Sequence, residues 1–169
     1  FVLPSLKNNT RAEFVNLIGA NIRIKRIDSP MTGYMTVSSY GKKVLSRGSS
    51  PIYGDDLFKE VFRFSRRVAQ IAKHEEFDII HAHDWLTYKA GINTKKMSGK
   101  PLVVHVHATE FDRTANNNVN QLVYNIEREG MHFADTIIAV SNFTKSRIVS
   151  RYGIDPSKAV SYTHLTLPT

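Results

Sequence analysis

The spacing of apolar positions changes along this chain, and the change locates its elements. Near the start, Asn21 to Ile27 alternates Ile22, Ile24 and Ile27 with Arg23, Lys25 and Arg26. That period of two predicts a half-exposed strand. Phe1 to Leu3 reads as a strand remnant before a polar turn through Lys7, Asn8 and Asn9. Residues 28 to 53 are rich in Ser, Gly, Pro and Tyr and predict a loose β-rich excursion around Tyr34 to Ser38 and Lys43 to Leu45. From Asp55 to about Lys73 the period becomes helical. Leu57, Phe58, Val61, Phe62, Ser65, Val68, Ala69 and Ala72 recur at threes and fours, with Arg63, Arg66, Arg67 and Gln70 on the opposite, wet face.

Short apolar runs then alternate with helical stretches. Strands are predicted over Asp78 to His81, Leu102 to Val106 and Thr136 to Val140, with Ile79 and Ile80 as the buried part of the first. Helices are predicted from about Leu86 to Met97, through Val119, Leu122, Val123, Ile126 and Phe133, and from Asn142 to Tyr152. Ser141 suits the N-cap of the last helix and Gly153 its C-terminal stop. Strands alternating with helices make successive right-handed βαβ units. The expected class is α/β, a Rossmann-like, mostly parallel sheet flanked by helices on both faces.

Composition narrows the picture further. The chain has 169 residues, enough for one domain with a sizeable core. That domain is expected to cover residues 1–160. Residues 161–169 lose the charge and periodicity of the rest and read as a non-native tail, and both ends read as cut. No apolar run of eighteen residues occurs, so no spanning helix is expected, and no signal-peptide pattern opens the chain. Zero cysteines exclude disulfides and thiolate metal sites and fit a reducing compartment. The net charge of +8 favours anionic partners. It is dispersed, with no basic run of five, which argues against nucleic acid.

Candidate chemistry gathers where two strands should end. His81, His83, Asp84 and Trp85 follow the first, and His105, His107, Thr109, Glu110 and Arg113 follow the second. Ligands of parallel α/β sheets bind beyond the carboxyl ends of the strands, so two neighbouring strands ending in His-x-His point to one shared site. Residues two apart share a strand face, which pairs His81 with His83 and His105 with His107. His81 and His105 are expected to be core histidines bonded to backbone, and Trp85 fits packing better than a ligand platform. His107 and Asp84 lie beyond the apolar runs, where burial explains little. The loop from Thr109 to Thr114 resembles hydrogen-bonding equipment for a polyol or anion. One alternative is a metal-dependent hydrolase using the His-x-His pairs, though the later strand ends supply only Ser141 and Asn142 as further ligands. Another is a carbohydrate-binding module in the same crevice.

Four segments in order carry a family resemblance: Asp78 to Trp85, His105 to Thr114, Ala134 to Ser141 and Tyr152 to Lys158. Over about residues 56 to 160 they resemble the N-terminal domain of retaining glycosyltransferases of the GT-B fold (group 1 or family 4, glycogen-synthase-like). The resemblance implies a cytoplasmic enzyme, with peripheral membrane contact permitted, that moves a sugar from a nucleotide-sugar donor to a carbohydrate or lipid-linked acceptor. It implies no bound metal and no cofactor beyond the donor as co-substrate. By position, His107 and Asp84 match catalytic residues, while Trp85, Thr109, Glu110, Arg113 and Ser141 fall on substrate-binding positions. The family's Gly-rich first loop would precede Phe1 and its nucleotide-binding second domain would follow residue 160. The 169 residues are therefore expected to be inactive without the rest.

Overall fold

A computed structural model describes residues 2–5, 25–28, 55–115 and 118–162. The chain divides into two units, Phe1–Val68 and Ala69–Thr169. In the first unit, strands β1 (Val2–Ser5) and β2 (Lys25–Asp28) pair in parallel, Val2 opposite Lys25 and Ser5 opposite Asp28. Ile27 is buried, as its place in the alternating pattern requires. The excursion expected over residues 28 to 53 lies outside the described residues, apart from Asp28 at the end of β2. Helix α1 (Asp55–Ala72) begins in this unit and ends in the next, matching its predicted bounds within a residue. Its buried positions are Glu60, Val61, Phe64 and Ser65, whereas Phe62, expected inward, is 40% exposed.

The second unit is built on four parallel strands in the order β3 (Ile80–His83), β4 (Leu102–Val106), β5 (Thr136–Ala139) and β6 (Ala159–Ser161). Helices α2 (Asp84–Ser98), α3 (Glu110–Arg113), α4 (Gln121–Phe133) and α5 (Asn142–Tyr152) flank it. A 3-10 turn at Pro156–Lys158 leads into β6. Parallel strands need long crossovers: α2 forms the β3–β4 one, α3 and α4 together the β4–β5 one, and α5 with the 3-10 turn that follows it the β5–β6 one. The chain is α/β and Rossmann-like, as its pattern predicts. Alternation orients the sheet: Ala82, Leu102, Val104, Val106, Ile137, Ala139 and Ala159 are buried, and the residues between them are not.

Close approach holds the helices to this core. A β-carbon on Gly91 would lie 2.8 Å from Leu102 Cδ1 and 3.2 Å from Ala82 Cβ, so α2 packs on the sheet where only hydrogen fits. Gly130 gives the same allowance to α4, where a β-carbon would meet Tyr88 Cδ2 at 2.5 Å. Tyr88 is itself fully buried and donates its hydroxyl to the His105 carbonyl at 3.2 Å.

Three boundaries depart from the sequence pattern. β3 begins at Ile80 and runs to His83, leaving Ile79 56% exposed. Ile79 therefore lies just before the strand and Ile80 opens it half-buried, while the small Ala82 is its buried residue on the packed side. α4 buries Val123, Ile126, Glu127, Gly130 and Met131, while Leu122 and Phe133, expected inward, are 43% and 38% exposed. β6 extends one residue past the expected domain end, with Ser161 opposite Ala139; residues 163–169 lie outside the described residues. The caps follow the pattern: Ser141 Oγ accepts from the Thr144 N–H at 3.1 Å, and Gly153 ends α5 at φ 66°.

Asp135 ties two strand starts together. Its Oδ2 accepts the Leu102 N–H at 2.6 Å and its Oδ1 takes the Lys95 ammonium at 2.7 Å. Lys95 first, and the Leu102 N–H second, hold this carboxyl below its ordinary value of 3.8. A depressed folded pKa means stability that is present above the unfolded value and lost as pH falls through the folded one. Acid unfolding of an Asp135→Asn variant is expected to show a shallower loss below about pH 4 than the parent. The difference should be modest, because the side chain is half exposed. Urea midpoints measured at pH 7 and pH 3 check it, and equal slopes for both proteins would sink the assignment.

Among the described residues, no helix is long and apolar enough to cross a membrane.

Candidate functional site

β3 and β4 end side by side, with His83 opposite His105 in the register. Asp84 follows at once as the first residue of α2, with φ 56°, in the left-handed region that few residues other than glycine enter and aspartate enters more readily than most. The turn aims its carboxylate across the gap between the strands. Asp84 Oδ1 accepts the backbone N–H of His107 at 2.9 Å. A side chain thus continues the β3–β4 pairing one step beyond the sheet. Thr87 steadies the same corner, its hydroxyl donating to the His83 carbonyl at 2.7 Å and the Asp84 carbonyl at 3.2 Å.

Four imidazoles crowd this face. His83 Nδ1 and His107 Nε2 are 3.1 Å apart, so one ring donates and the other accepts. His105 stacks on His107 with centroids 4.2 Å apart, and His81 lies 4.3 Å from His83 and 5.5 Å from His105. Burial is the first cause that lowers the pKa of His81, His83 and His105, and neighbouring imidazoles add to it. For His105 the result is about 4, despite the opposing pull of Asp84. These rings are therefore neutral at pH 7 and carry lone pairs. The expectation that His81 and His105 are satisfied core residues fails. His81 is exposed, and His105 is half-buried with its Nδ1 lacking a hydrogen-bond partner. The cause is the alternation itself: Ala82, Val104 and Val106 take the packed side of the sheet, which leaves the histidines on the other.

The remaining candidates divide between rim and interior. Trp85 is 4% exposed and belongs to the core. Ser141 is occupied as the N-cap of α5 at the end of β5. Thr109, Glu110 and Arg113, expected to line a substrate-facing loop, are engaged within the fold. Thr109 and Glu110 have no exposed surface. Thr109 caps α3, its N–H and hydroxyl both donating to Asp112 Oδ2 at 2.7 Å. Arg113 reaches back to the Ala108 carbonyl at 2.8 Å and to Glu110 Oε2 at 3.3 Å, and it pairs with Glu127. Glu110 Oε1 accepts the Asn120 N–H at 3.0 Å. This network fixes the segment that follows His107 from below.

Glu127 is the member that pattern reading missed. It also accepts the Glu110 N–H at 3.0 Å and the hydroxyl of buried Tyr152. Burial pushes its carboxyl up, with Arg113 opposing. A signal was present: Val123, Ile126, Glu127, Gly130 and Met131 fall at the spacing of one helix face, and a charge inside that stripe requires a buried partner.

Among the described residues, His81, His83 and His105 could hold a metal ion, with one nitrogen from each lying within 4.8 Å of the others. A depression of about 570 Å³ lies elsewhere, at the opposite end of the strands, bordered by Lys73, Phe77, Asp78, Met97 and Lys100. It contains none of the groups described above. The chemically equipped surface is the histidine rim.

Two comparisons bear on this arrangement. Residues 30–161 match the profile of the family described as Glycosyltransferase Family 4. An uncharacterized glycosyltransferase of Methanocaldococcus jannaschii is 27% identical over 86 residues, which are 50% of this chain and 22% of that protein. The matched stretch is thus about a fifth of the relative's length.

Proposed function

The chain belongs to glycosyltransferase family 4, and from that premise we propose that it forms the acceptor-side half of a cleft in which a sugar passes from a nucleotide-sugar donor to an acceptor hydroxyl with retention at the anomeric carbon. The observation that carries the reading is the joint placement of Asp84 and His107 at one rim, linked at 2.9 Å. A retaining transfer builds positive charge on the sugar and negative charge on the departing phosphate, so the protein must hold the sugar still and offer preorganised dipoles. The His107 ring hydrogen-bonds the donor sugar beside the reacting centre, in a tautomer set by its contact with His83. Asp84 fixes the backbone from which that ring projects, and its carboxylate lies close enough to the rim to orient an acceptor hydroxyl. The Glu110–Arg113–Glu127 network supports the loop and touches no substrate. The acceptor is a carbohydrate or a lipid-linked sugar, and the net charge of +8 suits the anionic groups of either the donor or a membrane surface.

The other half of the cleft, with the nucleotide site, is assigned to a second domain. The expected outcome is no transfer by the 169 residues alone, and transfer when they are joined to that domain. Release of nucleoside diphosphate across a panel of nucleotide sugars measures both. Turnover by the isolated chain would refute the half-cleft reading; a two-domain protein inert toward every donor would refute transfer itself.

A further inference from the structure

We propose that His81, His83 and His105 form a binding site for one divalent transition-metal ion of zinc type, separate from any metal requirement of sugar transfer. The three rings come from two adjacent parallel strands whose register sets His83 opposite His105. His81 and His83, two residues apart on β3, present their side chains on the same face as His105. One nitrogen from each lies within 4.8 Å of the other two. Around a tetrahedral zinc ion with bonds of about 2.0–2.1 Å, nitrogens sit roughly 3.4 Å apart. Closing the difference takes about an ångström of side-chain movement, which the exposed ring of His81 can make and which His83 can share within the limits of its contact with His107.

Two further features favour an ion. His105 Nδ1 is buried without a hydrogen-bond partner while Nε2 meets the Tyr162 hydroxyl at 3.2 Å, so Nδ1 is the nitrogen open to an ion, and an ion bound there would relieve its cost. The strand backbone also fixes the Cβ positions of all three residues in a sheet, so little order has to be created on binding. Imidazoles without a carboxylate or thiolate select zinc, copper or nickel over magnesium and calcium. A tetrahedral ion would take its fourth ligand from solvent. Because His83 contacts His107 at 3.1 Å and His105 stacks on it, an ion held here fixes the rings that surround His107.

The test is zinc binding to the tag-free chain by titration calorimetry, with cobalt as a spectroscopic stand-in. The expected result is one zinc per chain, a cobalt spectrum of tetrahedral nitrogen ligation, and no competition by magnesium. His81→Ala and His105→Asn should each weaken zinc by more than the roughly 10- to 100-fold that loss of an outer partner costs, while far-UV circular dichroism stays unchanged. His81→Gln serves as a second variant on an exposed side chain should the others disturb folding. Zinc held equally well by the His81→Gln variant, an octahedral cobalt spectrum, or no zinc uptake by the parent chain at millimolar metal would each overturn the site. None of these outcomes depends on transferase activity.

Discussion

Glu127→Ala is expected to remove about 2–5 kcal/mol of folding stability, because two buried donors lose their acceptor at about 1–3 kcal/mol each and Arg113 loses one of its two carboxylate partners. Arg113 would keep its contacts to Ala108 and Glu110 but lose Glu127. The Tyr152 hydroxyl and the Glu110 N–H would lose their acceptor in the same step. The Tyr152 hydroxyl and the Glu110 N–H are buried, so water cannot replace what they lose. Domains of this size are stable by about 5–15 kcal/mol, so the variant should unfold at a far lower urea concentration or fail to accumulate. Glu127→Gln is the informative control. It preserves shape and one acceptor oxygen while removing the charge that opposes Arg113, and it should fall between the parent and the alanine variant. Urea unfolding followed by circular dichroism measures all three. A loss below about 1 kcal/mol in Glu127→Ala would mean that the network is ornamental and that the loop after His107 is held by its apolar contacts alone.

The elements that rest on one periodic signal were legible in the sequence. β4 and α5 have the bounds their patterns predict, because Leu102 to Val106 and Asn142 to Tyr152 carry clear apolar spacing and clear ends. The placement of His-x-His at two neighbouring strand ends was legible too, since it follows from period two and parallel topology. What failed was the division between interior and surface. Thr109, Glu110 and Arg113 look like surface chemistry because polar residues in a loop usually meet solvent. Their burial depends on Glu127 and Tyr152, which are distant in sequence and approach only once α4 and α5 have packed. His81 and His105 erred the other way, taken for core residues because apolar neighbours surround them in sequence. Local pattern decides which residues share a face; which face is covered depends on tertiary packing that no short window contains.

That same distinction shapes the expectation for Asp84. Alanine here removes the acceptor of the His107 N–H and forces a side chain without local hydrogen bonding to hold φ 56°. The first loss costs about 1–3 kcal/mol and the second about 1–2. The turn is expected to relax, carrying His107 away from the rim. Since about 1.4 kcal/mol of lost transition-state stabilisation is tenfold in rate, transfer by the two-domain protein should fall roughly 10- to 100-fold in Asp84→Ala. His107→Ala, which deletes the ring itself, should fall by about 10²–10³, as for other preorganised donors. Asp84→Asn separates positioning from charge, because asparagine accepts the same N–H and enters the left-handed region as readily. If Asp84 acts through His107, Asn should retain most of kcat and Ala should lose it, with donor KM moving less than kcat. If Asn is as impaired as Ala while folding is intact, the carboxylate itself must meet the acceptor, and the positioning account fails in favour of direct contact.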